Sequence, residues 1–112
     1  MKKLAITTLC AGAIGLFAAS ASAQDAAAGA KVFADQKCSM CHSIAGKGNA
    51  KGALDDVGSK LSAADIRQWI VDPVGMTAKS KAERKPPMTA KYSSLPKGDL
   101  DALVAYLSSL KK

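Results

Sequence analysis

Apolar residues recur at helical spacing in three stretches of this chain, separated by segments with no apolar period. The first runs from about Asp25 to Lys37, where Gly29, Val32 and Phe33 share a face at i, i+3 and i+4. Alanines favour the helix there, and Asp25 is a good N-cap. The second runs from Ser62 to Val71. Ser62 and Asp65 have capping-box spacing, and Ile66, Trp69 and Ile70 repeat on one face. Pro73 lies just past its end, where the chain cannot continue helical. The third stretch, roughly Lys97 to Leu110, is the clearest. Leu100, Leu103, Val104 and Leu107 follow i, i+3, i+4, i+7, and Lys111 and Lys112 complement the C-terminal dipole. Ala45 to Gly52 reads as a loop rich in Gly, Lys and Asn. Pro73 to Leu95 reads as a charged loop punctuated by Pro86-Pro87. No strand-like alternation is visible, so the pattern predicts an all-α chain.

The N-terminus adds a segment of a different kind. Lys2 and Lys3 form a positive region, Leu4 to about Ala19 is apolar, and Ala21-Ser22-Ala23 is an A-x-A cleavage site. The apolar run of about 16 residues is short for a membrane span, which needs ~20. Cys10 follows Leu9, where a lipoprotein would place a small residue. Residues 1–23 are therefore expected to be a secretory signal peptide, cleaved after Ala23 and addressing residues 24–112 to the periplasm. No other stretch is apolar enough to cross a membrane. The mature chain of about 89 residues suffices for one small domain.

Export alters charge and cysteine count. The whole chain carries sixteen basic and nine acidic residues, net +7, and losing Lys2 and Lys3 leaves +5. That balance favours acidic protein partners or anionic surfaces, and nucleic acid is not expected as a partner outside the cytoplasm. Cys10 leaves with the signal, so Cys38 and Cys41 are the only cysteines of the mature chain.

Those two cysteines carry the chemistry. Cys38-Ser39-Met40-Cys41-His42 has two thiols two residues apart, followed at once by a histidine. A thioredoxin-like pair would sit beside a βαβ pattern, which this chain lacks. A zinc site would need a second Cys/His pair, and the chain has a single histidine. A disulfide staple in a small exported protein is the third reading. The spacing with the adjacent histidine is the attachment signature of a c-type haem. Each thiol adds across one vinyl group, and the histidine can bind iron from the proximal side. One covalent haem c per chain is predicted, held by Cys38 and Cys41 with His42 as iron ligand.

With Gly29 and Phe33 before the motif, a Met in a Pro-containing loop and Tyr106 in the last helix, the mature chain resembles the class I cytochromes c. The resemblance implies a small all-α fold of three to five helices around one covalent haem, with the first and last helices crossing. It also implies that a glycine permits the approach and aromatics fill the crossing; Gly29, Phe33 and Tyr106 are the matching positions. Many members carry a Gly-Pro pair whose carbonyl accepts the proximal imidazole Nδ1–H bond. Here Gly52 is followed by Ala53, which leaves that acceptor unassigned.

The resemblance further implies a thioether as second iron ligand. Met1 is lost and Met40 lies inside the attachment turn, leaving Met76 and Met88. Met88 follows Pro86-Pro87 shortly before the final helix, as in the family's ligand loop, and is the expected distal ligand; Met76 or an open site are the alternatives. Trp69 belongs to the core stripe or donates its indole N–H to a haem propionate. Lys79, Lys81, Arg84 and Lys85 form a docking surface for an acidic redox partner, or simply a solvated loop. The expected function is a monomeric periplasmic electron carrier and not an enzyme. The rivals are a haem subunit fixed in a larger oxidoreductase complex and a gas-binding or sensing cytochrome with an open distal site.

Overall fold

In the computed structural model, residues 17–112 are described, with side chains from residue 25 onward. Residues 1–16, the greater part of the expected signal peptide, lie outside the described residues.

Helix α1 spans Phe17–Asp35. It begins upstream of the expected start because the alanine-rich run continues the helix back through residues 18–30, so Asp25 is an interior residue and not the N-cap. Its last turn closes through Gln36 N–H to the Val32 carbonyl at 2.9 Å. Lys37 then adopts a left-handed conformation, φ 58° and ψ 35°, which turns the chain sharply out of the helix. The next residues form a single 3₁₀ turn, Cys38–Met40.

The expected loop after the motif contains a small hairpin. Strand β1 (Ser43–Ile44) pairs antiparallel with β2 (Lys47–Gly48), with Ser43 opposite Gly48 and Ile44 opposite Lys47. The two connecting residues, Ala45 and Gly46, both have positive φ, the turn geometry that matches strand twist. Two residues per strand are too few for an alternating pattern to register in sequence. A second 3₁₀ turn, Ala50–Gly52, follows, capped by the Asn49 side chain accepting from Lys51 N–H at 3.1 Å.

Four further helices complete the fold: α2 (Val57–Lys60), α3 (Ala63–Val71), α4 (Pro73–Ser80) and α5 (Lys97–Ser108). Ser62 caps α3 as expected, its hydroxyl accepting from Asp65 N–H at 3.1 Å. Pro73 ends α3 but also begins α4, which corrects the reading of this segment as loop. Proline is tolerated in a first helical turn, where its missing N–H has no partner to lose. Asp72 caps the new helix, its carboxylate accepting from Gly75 N–H at 3.1 Å. Residues 82–89 form no helix or strand and bend at Lys85 and Pro86, and a 3₁₀ segment, Ala90–Ser94, leads into α5.

The core lies between α1, α3 and α5. Val32, Phe33, Ile66, Ile70, Leu100, Leu103, Val104 and Leu107 form one buried cluster. Each such side chain contributes about 1.5–3 kcal/mol of burial. Helices α1 and α5 cross at Gly29, where a β-carbon would overlap the Ala102 carbonyl oxygen and Tyr106 Cβ. Beside that contact the Phe33 and Tyr106 rings meet edge to face, centroids 6.2 Å apart. Arg67 on α3 donates to Asp101 on α5 at 2.5 Å, and Lys97 reaches the same carboxylate at 3.0 Å. The fold is all-α apart from the hairpin, as expected.

Candidate haem site

Asn49 holds the attachment turn from beneath. Its main-chain N–H reaches the carbonyls of Ser39 and His42, each at 3.1 Å, and its side-chain amide donates to the Met40 carbonyl at 3.3 Å. Gly48 makes this approach possible: its φ is +111°, and a β-carbon would overlap the His42 carbonyl oxygen. The hairpin thus delivers Asn49 to the motif. Nothing in the sequence distinguished Asn49 from other polar loop residues.

On this turn Cys38 is half-buried and Cys41 exposed, and neither thiol is in a disulfide. Burial pushes the Cys38 thiol above its usual range and Cys41 adds to the shift, against a backbone hydrogen bond and Lys91, which pull it down. Burial raises the Tyr92 phenol above its usual range, and the two thiols add to the shift.

His42 is fixed by its Nδ1, 3.0 Å from the Gly52 carbonyl oxygen. A carbonyl only accepts, so Nδ1 carries the proton and Nε2 of the neutral ring keeps its lone pair for a metal. Burial holds the imidazole below its usual range; the Gly52 bond opposes this and Arg84 adds to it. The acceptor that sequence left unassigned is therefore Gly52, although alanine follows it. Ala53 has φ −59° and ψ 130°, the backbone a proline would impose, so the carbonyl keeps its aim without the ring. Gly52 is tightly enclosed, and a β-carbon there would overlap the Cys41 carbonyl oxygen and the Arg84 guanidinium.

Next to this constellation lies a cavity of about 540 Å³, lined by Leu54, Val57, Leu61, Trp69 and Met76, with Lys60 and Lys79 among its polar groups. Trp69 is half-buried and lines this cavity, outside the buried cluster formed by Ile66 and Ile70. Met88 is half-buried and packs against the core cluster together with Cys38 and Tyr92. The structure thus brings Cys38, Cys41 and His42 onto one turn and puts Trp69 and Met76 on a shared wall. Met88 is not among the cavity-lining residues.

The family profile described as Cytochrome c matches residues 26–111. The chain belongs to the cytochrome c family. Membership brings a haem-based electron-transfer role and a covalently bound haem c. The donor set fits that group: two available thiols on one turn and a histidine oriented through Nδ1, with a mostly apolar cavity that begins at Ala53, the residue after the Gly52 that holds the ring. Cytochrome c oxidase subunit 2 of Alkalihalophilus pseudofirmus is 30% identical over 92 residues, covering 74% of this chain and 25% of that protein. The chain spans about a quarter of that relative's length. No solved structure matches the chain. No described helix is long and apolar enough to cross a membrane.

Proposed function

We propose that this cytochrome c is an exported monohaem carrier of single electrons. The observation that carries the reading is His42, held through Nδ1 on the Gly52 carbonyl one residue after a two-thiol turn. Bound there, haem c supplies a one-electron iron couple. Cys38 and Cys41 would anchor it covalently, which prevents loss of the group after export. His42 would ligate through Nε2. Met88 is the proposed distal ligand: its soft, neutral thioether favours ferrous iron, and Pro86-Pro87 stiffen the approach. Met76 is the alternative, given its position in the cavity wall. Trp69 would offer its indole N–H to a propionate; the same cavity carries Lys60 and Lys79 against Asp56 and Asp65.

Residues 1–23 are proposed to be removed after Ala23, which places the mature domain in the periplasm as a monomer. Lys79, Lys81, Arg84 and Lys85, exposed with Lys37, Lys47, Lys51 and Lys91, would steer an acidic redox partner toward it. A second reading, a haem domain fixed within a larger complex, is favoured by the match to the oxidase subunit. A stoichiometric partner retained through native purification would support it, and a lone chain would support the shuttle.

The reading is tested on the oxidised holoprotein beside Met88→Ala and Met76→Ala. The weak near-infrared thioether-to-iron band should persist in Met76→Ala and vanish in Met88→Ala. A wild type without that band, whose reduced form takes up carbon monoxide, would overturn the carrier reading in favour of an open site.

A further inference from the structure

We propose that Arg84 is a positioning residue for the proximal histidine, clamping the two backbone segments that hold His42 and setting the electron affinity of the site with its charge. The inference rests on the haem-carrier reading.

Arg84 lies on an exposed, charged segment, yet its guanidinium is turned inward onto the main chain. Nη2 donates to the Cys41 carbonyl at 2.5 Å, across 43 residues of sequence. Nη1 lies against Gly52, close enough that a β-carbon there would overlap it. The ion pairs among the described residues run from Arg67 and Lys97 to Asp101, and Arg84 takes part in neither. Its fork therefore spans the residue preceding His42 and the residue whose carbonyl holds the ring. A planar guanidinium suits that task, since its donors stand at fixed angles and reach two segments at once.

Two consequences follow from a fixed positive charge at this place. The guanidinium draws electron density from the backbone carbonyls beside it, so Gly52 accepts the Nδ1–H bond less strongly and the imidazole is less electron-rich. Oxidation of the site also adds a positive charge near one already present. Both effects favour the reduced state, and both add to what the thioether does. The clamp further ties the segment leading to Met88 to the proximal side, so one residue couples the two proposed ligand loops.

The test is a spectroelectrochemical titration of purified holoprotein, wild type beside Arg84→Gln and Arg84→Lys. Exchange of the proximal imidazole N–H is followed by NMR on the reduced forms. Arg84→Gln should lower the reduced-to-oxidised ratio at a fixed applied potential by threefold to tenfold, tenfold being 59 mV for one electron. Arg84→Lys keeps the charge and should shift the ratio less than half as far on the same logarithmic scale. Both variants should exchange the imidazole N–H faster, since both lose the fork. A Gln variant within twofold of wild type overturns the inference, as does a Lys variant that shifts as far as Gln. A wild type carrying no covalent haem would overturn the carrier reading and this inference together. Failure of the inference alone would leave the haem in place with its potential unmoved.

Discussion

Replacing Gly29 by alanine should destabilise the protein, although helix propensity alone predicts the opposite. Alanine in a helix interior is favoured over glycine by about 0.8–1 kcal/mol. At Gly29 the added methyl meets the Ala102 carbonyl and the Tyr106 β-carbon, both anchored in α5. Neither can rotate away, so the helices must part. Overpacking costs about 1–3 kcal/mol, and a backbone obstacle places this site at the upper end. Parting also weakens the Phe33–Tyr106 edge-to-face pair, which contributes about 0.5–1.5 kcal/mol. The propensity gain offsets only part of this, leaving a net loss of about 2–3 kcal/mol. For a domain of this size that lowers the melting temperature by roughly 10–20 °C. Urea and thermal unfolding of the holoprotein, followed by far-ultraviolet circular dichroism, measure it. Gly98→Ala is the matched control, because a β-carbon at that position in α5 meets nothing within 4 Å. It should be neutral or slightly stabilising. Gly29→Ala at or above wild-type stability would refute the close crossing.

Ala53→Pro should be tolerated and stabilise by about 0.4–1 kcal/mol, because φ is already −59° and proline restricts chiefly the unfolded chain; a lowered urea midpoint would count against it. Asp101 is held below the usual carboxylate range, first by its hydrogen bond from Arg67 and then by Lys97. Its contribution is therefore complete above the ordinary carboxylate value and disappears as pH falls through the depressed one. Asp101→Asn should accordingly be the less stable protein at pH ~7, with the gap closing below pH ~4; urea midpoints that differ equally at both would contradict this. Electron transfer to an acidic partner should slow steeply as ionic strength rises, in stopped-flow measurements. A flat salt response would remove the lysine-rich surface from the docking role.

What sequence disclosed depended on whether the physics was local. Leu100, Leu103, Val104 and Leu107 lie on one face at short range, and α5 appears where they predict it, between Lys97 and Ser108. Gly29 and Tyr106 could be paired only through resemblance, since nothing in either segment names its partner. The helix α4 was hidden by Pro73, which reads as a terminator although it also opens a helix when an Asp precedes it. The motif Cys38 to His42 was legible because its chemistry fixes its own spacing. Its supports were not: Asn49 acts mainly through backbone geometry, and Arg84 makes a contact 43 residues away. Polar side chains that bond to distant main chain leave no periodic trace.

The partner of the histidine ring is a main-chain carbonyl, and that bears on how this protein can change over time. A carboxylate or amide in that place would be one codon away from deletion. The Gly52 oxygen is present whatever side chain stands at that position, but its aim is not, because a β-carbon there would meet the Cys41 carbonyl oxygen and the Arg84 guanidinium. A mutation can therefore loosen the ring's anchor only by moving the backbone. On the proposed role of Arg84, the charge beside the carbonyl can change separately, shifting the driving force while Cys38 and Cys41 leave the attachment as it is.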